Sequence, residues 1–193
     1  MKPLIVGIAG RKRSGKNSVA ALAARGFLRL AFADHLKWLI MQTWDMSFDQ
    51  VFSDELKEQV DPRWGFSPRQ ALQQVGTEVG RKLHSDTWVR KTLDTIRRGS
   101  RGEEVILPNF EMGYFEHITF DESYAQRWVI PDVRFPNEAD AIRNQGGVIV
   151  KVTRPSLEST DTHDSETSVD LVEGDYYIVN DGSLDDLQRK VDV

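Results

Sequence analysis

The residues best suited to chemistry form a glycine- and lysine-containing segment near the amino terminus. Residues 10–18 read Gly-Arg-Lys-Arg-Ser-Gly-Lys-Asn-Ser. This fits the G-x-x-x-x-G-K pattern of a phosphate-binding loop (P-loop), in which backbone N–H groups and the start of the following helix face phosphate oxygens. Lys16 would then reach the β- and γ-phosphates of a nucleotide. A glycine-rich turn with an incidental lysine is the alternative, and the predicted strand before and helix after the segment disfavour it.

The same loop is strongly basic in an acidic chain. Arg11, Lys12, Arg13 and Lys16 carry positive charge within six residues, whereas the chain as a whole has a net charge of −5. Transfer of a phosphoryl group concentrates negative charge where two phosphates meet, and nearby cations neutralise it. A solvated basic turn is the alternative, but the acidity of the remaining chain favours phosphate neutralisation.

The residue after the P-loop lysine departs from the usual Ser or Thr. It is Asn17, and Ser18 follows it. An amide or hydroxyl oxygen can bind Mg²⁺ weakly or orient a water bound to the ion. Which of the two residues faces a metal stays open at this point.

A carboxylate that could act beside such a metal follows a later apolar run. Asp132 comes after residues 128–131, at the predicted carboxyl end of a strand, where ligands collect in open α/β sheets. Arg134 follows two residues later, and Arg154 follows the next predicted strand. Guanidinium groups bind phosphate in a bidentate manner, so these residues predict a phosphate-contacting rim beside the P-loop. The alternatives are that Asp132 is a turn residue and that each arginine is an ordinary surface residue.

Other polar residues have two interpretations each. Arg90 lies on a predicted helix and is either a lid arginine or part of a solvated face. Glu166 lies in a polar run and either binds a sugar hydroxyl or caps a helix. Asn137 and Glu138 open a predicted helix, and capping that helix is their default role. No Ser/His/Asp arrangement is readable, and the four histidines form no metal pattern. A phosphate acceptor needs no strong general base, because its oxygen is already ionised.

The elements that must position these residues alternate between strands and helices. The predicted strands are Leu4–Ala9, Phe27–Phe32, Trp128–Ile130, Val148–Val152 and Tyr176–Val179. Three predicted helices have both bounds: Ser18–Arg25, Asp34–Asp45 and Asn137–Gln145. Three more are predicted by their starts, at Ser67-Pro68, Asp86 and Ser183. The helix that starts at Ser67-Pro68 has an apolar stripe of Leu72, Val75 and Val79. Residues 97–102 are predicted as a flexible break, and residues 103–126 as a hairpin or an excursion. This alternation predicts one α/β domain, residues 1–193, with a central parallel sheet covered on both faces.

The composition narrows the classes of function. Hydrophobic residues make up 39% and charged residues 28%, a normal globular balance. There is no cysteine, which excludes disulfides and cysteine-based zinc sites. No apolar run approaches the ~18 residues of a membrane helix, and no signal-peptide pattern is present. The negative net charge disfavours binding to nucleic-acid backbones. We therefore expect a cytoplasmic protein that binds neither membranes nor nucleic acid.

Seven segments together resemble the deoxynucleoside monophosphate (dNMP) kinases of tailed bacteriophages. They are residues 10–18, 32–37, 72–81, 86–89, 129–139, 152–155 and 163–166, in order through most of the chain. The block Asp-Val-Arg-Phe-Pro-Asn-Glu at 132–138 is more specific than the P-loop, which many unrelated NTPases share.

The resemblance implies a P-loop NTPase fold of the nucleoside-monophosphate-kinase type, three-layered as α/β/α, and an enzyme that moves the γ-phosphoryl group of ATP to a dNMP, giving ADP and dNDP. It implies ATP and Mg²⁺ at the P-loop, an acceptor held by the helical region 34–98, and residues 99–126 as an excursion or lid. Its partners would be small nucleotides, and it would act in the host bacterial cytoplasm. A homodimer is one option for its oligomeric state.

The residues expected in catalysis are Lys16, Arg13, Asp132 and Arg134. Those expected to bind ATP are Gly10, Arg11, Lys12, Ser14, Gly15, Asn17, Ser18 and Arg154. Those expected near the metal, through water, are Asn17, Ser18 and Asp132. Those that the resemblance places around the acceptor are Asp34, Lys37, Gln74 and Glu78, for which helix surface and capping are the alternative roles. Arg90 and Glu166 are included in the acceptor set, with the alternatives given above.

The chain departs from the family pattern at three places. Asn17 stands where aspartate is common, His35 stands where proline is common, and residues 103–126 are longer than usual. Animal phosphomevalonate kinases share a similar basic P-loop and Asp-x-Arg sequence and are the second candidate. A nucleotide-binding module without kinase activity is the third, although the chain contains no Asn-Lys-x-Asp guanine-reading motif.

Overall fold

The computed structural model describes residues 2–23, 26–121, 126–155 and 168–191. The chain divides into two compact units, which are considered separately. The first, here called the sheet unit, comprises Met1–Ala31, Ser100–Gly102 and Asp121–Val193. The second, here called the helical unit, comprises Phe32–Gly99 and Glu103–Phe120.

The described secondary structure alternates as the sequence predicts. The strands are β1 (Leu4–Ala9), β2 (Leu28–Arg29), β3 (Val105–Asn109), β4 (Tyr114–Ile118), β5 (Arg127–Val133), β6 (Val148–Thr153) and β7 (Tyr176–Val179). The α-helices are α1 (Lys16–Ala23), α2 (Asp34–Trp44), α3 (Phe48–Phe52), α4 (Pro68–Gln73), α5 (Thr87–Gly99), α6 (Pro136–Asn144) and α7 (Leu184–Val191). Short 3₁₀ helices occupy Leu56–Glu58 and Ser168–Leu171, and a π-helix occupies Gln74–Arg81.

The sheet unit is built on five parallel strands in the order β2-β5-β1-β6-β7. Residues 4–9 form the central strand because they are an uninterrupted apolar run, which suits a strand covered on both faces. The predicted α/β class with a central parallel sheet is confirmed. In this arrangement β1, β5 and β6 all end at the same edge of the sheet, so the segments that follow them start close together.

Helices cover both faces of this sheet. On one face, Ile8 clusters with Val19 of α1 and Leu187 of α7. On the other face, a Cβ added to Gly7 would lie 2.7 Å from Ile142 Cδ1 of α6. The missing side chain at residue 7 therefore lets α6 pack closely against β1. The three layers predicted from the alternation are present in this unit.

The helical unit has its own apolar core and a two-stranded hairpin. The core joins Leu36, Ile40, Met46, Val51 and Ala71. The antiparallel pair β3–β4 lies within residues 103–126, so that stretch contains a hairpin, one of its two predicted forms. An aromatic cluster joins Phe48 and Phe52 of α3 to Phe110 and Phe115 of the hairpin.

One helix of this unit begins as predicted and continues differently. Ser67 caps α4, since its hydroxyl accepts the Gln70 N–H and the Gln70 side chain accepts the Ser67 N–H. From Gln74 onward the chain becomes π-helical. The apolar stripe predicted for an α-helix is therefore wrong at Val79, which is 51% exposed. In a π-helix each residue turns through a smaller angle, so Val79 no longer faces the core.

Several predicted boundaries also shift. Strand β2 has two residues instead of six, and β5 runs through Pro131 to Val133. Helix α5 continues to Gly99, so the predicted break at 97–102 is wrong over its first three residues. Within the described ranges, no helix is both long and apolar enough to cross a membrane.

Candidate functional site

The P-loop connects the central strand to α1 and has a tightly constrained backbone. Gly15 has a φ of +102°, and Arg13 has a φ of +64°. The Ser14 N–H donates to the Arg11 carbonyl oxygen at 3.1 Å, which closes the turn. A non-glycine residue in the left-handed region costs roughly 1–2 kcal/mol, and such strain often occurs where a loop serves a site. Arg13 is therefore held in a conformation that the loop imposes.

Lys16 begins α1, and its side chain turns back into the loop. The residue is only 8% exposed, and its ammonium group donates to the Arg11 carbonyl oxygen at 2.6 Å. The loop thus holds a buried positive charge where the sequence predicts phosphate binding. The Ser14 hydroxyl is also buried and has no hydrogen-bond partner among the residues that the structure describes.

A residue from the far end of the chain braces this loop. Asn180 directly follows β7, and its Nδ2 donates to the Ser14 carbonyl oxygen at 3.0 Å. A Cβ added to Gly15 would overlap the same Nδ2 atom. Glycine is therefore required at position 15 for two reasons, a positive φ and the close approach of Asn180.

A cavity of about 340 Å³ opens beside the P-loop. Its lining residues are Gly10, Arg11, Ser14, Lys151, Val152, Thr153, Arg154 and Asp170. Arg154 thus lies beside the P-loop residues with which the sequence analysis grouped it. The size suits part of a small ligand.

Asp170 holds one of the loop cations at this cavity. Arg11 Nε donates to Asp170 Oδ1 at 2.9 Å, and a second guanidinium nitrogen contacts Oδ2. These hydrogen bonds from Arg11 lower the pKa of the Asp170 carboxyl group. Lys151 Nζ donates to the Asp170 and Val172 carbonyl oxygens at 3.2 and 2.6 Å. The Arg11 side chain is therefore oriented by a carboxylate before any ligand arrives.

Asp132 and Arg134 lie at the strand end next to the P-loop. Ala9, the last residue of β1, pairs with Val133. Between Gly7 and Ala9 the register advances by two residues on β1 and by three on β5, a bulge that includes Pro131 and Asp132. A proline cannot donate to a ladder hydrogen bond, and bulges re-aim side chains next to sites.

A buried carboxylate fixes the backbone that follows. Glu138 is 2% exposed and accepts the N–H groups of Arg134 and Phe135 at 2.6 and 3.0 Å. The capping role predicted for Glu138 is thus confirmed. The two hydrogen bonds to Glu138 therefore fix the backbone conformation at Arg134, where the chain leaves the sheet.

Five of the six predicted acceptor residues are on three helices of the helical unit. Asp34 is buried at the start of α2, and Lys37 Nζ lies 3.7 Å from its Oδ1 and 3.9 Å from the centre of the Phe52 ring. Gln74 and Glu78 are exposed on the π-helix. Arg90, on α5, is exposed, and Glu166 lies outside the described residues. Their roles around an acceptor stay predictions.

Comparison with known proteins identifies the family. Residues 53–191 match the model of the family described as deoxynucleotide monophosphate kinase. The chain belongs to this family. A mimivirus protein (Acanthamoeba polyphaga mimivirus), named provisionally as a deoxynucleotide monophosphate kinase, is 32% identical over 193 residues, covering 97% of this chain and 94% of its own. The Enterobacteria phage T4 deoxynucleotide monophosphate kinase is 30% identical over 148 residues, covering 73% of this chain but only 56% of the phage protein. This chain therefore spans nearly the whole mimivirus relative and about half of the phage relative.

Solved structures that resemble the chain are more distant. TT1252 from Thermus thermophilus has a TM-score of 0.49 and 19% identity, covering 100% of this chain and 96% of its own. A dephospho-CoA kinase from Campylobacter jejuni has a TM-score of 0.43 and 14% identity, covering 97% and 93%.

A partly buried histidine links two helices of the helical unit. His35 Nε2 lies 3.0 Å from Thr95 Oγ1, and Nδ1 has no hydrogen-bond partner in the described part of the chain. Burial, with a smaller contribution from Lys91, lowers the pKa of His35 to about 4. The imidazole is therefore neutral near pH 7 and acts as a packed polar link between α2 and α5.

The donor set beside the P-loop fits magnesium chemistry. Among the described residues, no group of three or more His, Cys, Asp or Glu side chains forms a metal cluster. Mg²⁺ in nucleotide sites usually takes one or two carboxylates, several waters and the substrate phosphates. Asp132 and the oxygens of Asn17 or Ser18 offer such a sparse, oxygen-only set.

Proposed function

We propose that the chain catalyses transfer of the γ-phosphoryl group of ATP to a deoxynucleoside monophosphate, giving ADP and a deoxynucleoside diphosphate. Membership of the deoxynucleotide monophosphate kinase family supports this reaction. The observation that carries it is the pairing of Ala9 with Val133, because it starts the P-loop and the Asp132–Arg134 segment from adjacent strands at one sheet edge. The observations favour neither of the other two candidates, the phosphomevalonate kinase and the non-catalytic module.

The sheet unit would bind ATP through the P-loop. Backbone N–H groups at the start of α1 suit an anion, and the Ser14 hydroxyl has capacity for a phosphate oxygen. Lys16 would exchange its bond to the Arg11 carbonyl oxygen for one to a phosphate. Arg13 and Lys12 add positive charge, and Arg154 at the cavity wall would contact another part of the nucleotide.

Asp132 and Arg134 would act on the group in transfer. Asp132, with Asn17 or Ser18 and through water, would hold Mg²⁺, which neutralises charge on the ATP phosphates when bound. Arg134 offers a planar guanidinium that fits phosphate oxygens in a bidentate manner. Glu138 fixes the backbone at Arg134, so the arginine side chain starts from a defined position at the strand end.

The helical unit would bind the acceptor. Lys37 and Arg90 supply positive charge for its phosphate, while Asp34, Gln74 and Glu78 offer hydrogen-bonding groups for its base or sugar. Glu166, in the polar run, is proposed for the same substrate. The acceptor oxygen is already ionised at neutral pH, so no general base is assigned. Positioning and charge neutralisation then account for the catalysis.

A coupled ADP-release assay tests this function. The enzyme, ATP and Mg²⁺ are combined in turn with each dNMP, each NMP, phosphomevalonate, or no acceptor. We expect turnover with at least one dNMP, well above that with phosphomevalonate. ATP hydrolysis that no acceptor changes would overturn the kinase assignment, and faster turnover of phosphomevalonate would replace the acceptor class.

A single substitution tests the role of the P-loop. Lys16→Met should lower kcat about a hundredfold or more, the usual cost of removing one preorganised charge that faces the reacting phosphates. Lys2→Met, at an exposed lysine of the same unit, is the matched control and should keep the wild-type rate. A Lys16→Met enzyme with near-wild-type turnover would show that the loop is not catalytic.

A further inference from the structure

The π-helix presents opposite properties on its two sides. Gln74 and Glu78 are exposed, whereas Gly76 and Gly80 are buried. Residues four apart lie almost one above the other, so each pair occupies one side. π-Helical segments are rare, and the single-turn form found within α-helices occurs frequently at functional sites. This segment therefore carries its proposed substrate-facing groups on one side and its packing positions on the other.

Trp88 contacts both packing positions. Its indole N–H donates to the Gly76 carbonyl oxygen at 2.9 Å. A Cβ added to Gly80 would lie 2.7 Å from Trp88 Cζ2, and a Cβ added to Gly76 would lie 2.6 Å from Leu36 Cδ2. The two glycines therefore allow the indole ring and a leucine from α2 to lie directly against the helix backbone.

A neighbouring residue supports the same contact. Thr87 Oγ1, one residue before Trp88, lies 2.8 Å from the Gly80 carbonyl oxygen. The Thr-Trp pair at the start of α5 thus hydrogen-bonds two carbonyl groups of the π-helix. Two segments that resemble the family in sequence, 72–81 and 86–89, are joined here by specific contacts.

We propose that Trp88 is a positioning residue for acceptor recognition, holding the π-helix so that Gln74 and Glu78 present their polar groups to the deoxynucleoside monophosphate. This inference rests on the proposed function, in which those two side chains contact the acceptor. Trp88 itself touches the backbone of the helix and not the substrate. Its loss should therefore affect binding of the acceptor and leave binding of ATP unchanged.

Trp88→Phe is the informative variant, because phenylalanine keeps an aromatic ring but lacks the N–H donor. We expect its KM for the preferred dNMP to rise about threefold to tenfold, the range for one net hydrogen bond, with KM for ATP unchanged. Trp64→Phe is the matched control. The Trp64 indole also donates to a backbone carbonyl oxygen of the helical unit, that of Trp44, at 2.8 Å. We expect both KM values of this control to equal those of the wild type.

A second background separates positioning from general stability. In a Gln74→Ala/Glu78→Ala enzyme, adding Trp88→Phe should raise KM for the dNMP further by less than about twofold, since effects that act through shared groups are not additive. Hydrogen exchange of peptide 74–83 should be faster in Trp88→Phe than in the wild type, with or without substrate.

The outcomes distinguish the two proposals. A wild-type enzyme without dNMP turnover would overturn the proposed function, and this inference with it. Wild-type turnover combined with an unchanged KM for the dNMP in Trp88→Phe would overturn the inference alone. Equal increases in both KM values, or a full additional effect in the Gln74→Ala/Glu78→Ala background, would assign Trp88 a purely structural role.

Discussion

The Gly15–Asn180 contact gives the sharpest quantitative test of the P-loop structure. Alanine at position 15 would meet two penalties. The φ of +102° costs a non-glycine residue roughly 1–2 kcal/mol. The new Cβ would also displace Asn180 Nδ2 from the Ser14 carbonyl oxygen, and one such hydrogen bond contributes about 0.5–1.5 kcal/mol. Gly15→Ala should therefore lower the free energy of unfolding by about 1.5–3.5 kcal/mol.

A double-mutant cycle separates the two penalties. Asn180→Ala alone should cost about 1 kcal/mol, because it removes the hydrogen bond. In the Asn180→Ala background, Gly15→Ala should cost only the backbone penalty. The double variant should therefore lose about 1 kcal/mol less free energy of unfolding than the sum of the losses of the two single variants. Gly146→Ala is the matched control, since Gly146 has a φ of +85° and open space around its Cβ position. It should cost only the backbone penalty and add independently to Asn180→Ala.

The free energies are measured by urea unfolding without nucleotide, followed by far-UV circular dichroism. Additivity of Gly15→Ala and Asn180→Ala within about 0.5 kcal/mol would refute the steric coupling. A Gly146→Ala cost equal to that of Gly15→Ala would show that the backbone conformation alone explains the glycine.

Three further outcomes are expected. Glu138→Gln should lower the free energy of unfolding by about 1.5–3 kcal/mol, the value of hydrogen bonds to a charged group, which urea unfolding measures. The same variant should lower kcat by misdirecting Arg134, which steady-state kinetics measures. Arg134→Ala should lower kcat and kcat/KM alike, and a pure KM effect would reassign the arginine to ground-state binding. Burial lowers the pKa of His35 in the folded protein to about 4, so the unfolded chain binds a proton at this residue more readily than the folded protein. The contribution of His35 should therefore lower the free energy of unfolding by about 3 kcal/mol as the pH decreases from 7 to 4. His35→Gln should remove that part of the pH dependence in unfolding experiments, and an unchanged slope would refute it.

The sheet-edge part of the site is largely predictable from the sequence because its signals are local. Residues 4–18 encode strand, loop and helix start within one continuous segment. Asp132 and Arg134 follow another apolar run, and the rule that parallel strands end at one edge brings the two segments together. The predicted family is confirmed by the match over residues 53–191. The proposed roles of the individual residues stay predictions.

Contacts between distant parts of the chain were missed for a physical reason. Asn180 is 166 residues from Ser14, and Asp170 is 159 residues from Arg11. Asn180 directly follows β7, so the reasoning applied to Asp132 could have identified it once that strand was assigned to the sheet edge. Asp170 offers no comparable signal, because it follows a polar run and its position depends on the fold.

The π-helix was also missed, since a regular apolar spacing predicts an α-helix and nothing in residues 74–81 encodes the wider turn. The reason for the wider turn lies in its neighbours. Leu36 and Trp88 pack where Gly76 and Gly80 lack side chains, and the Trp88 indole N–H donates to the Gly76 carbonyl oxygen. Tertiary contacts therefore decide the conformation, against the local pattern.

Glycine serves two different purposes in the two units, and this difference connects sequence to function. Gly15 has a positive φ, and it allows the P-loop backbone to adopt a conformation that other residues rarely adopt. Gly76 and Gly80 lie in a helix without positive φ, and they allow Leu36 and Trp88 to approach the backbone. An alanine at Gly15 therefore strains the backbone itself, whereas an alanine at Gly80 can be accommodated by any change that moves the indole. A Gly80→Ala defect should consequently be relieved in part by a smaller residue at 88, while the backbone penalty of Gly15→Ala has no such rescue. Sequence motifs that look alike as glycine-rich segments thus encode different physics, and only the contacts around each glycine reveal which one applies.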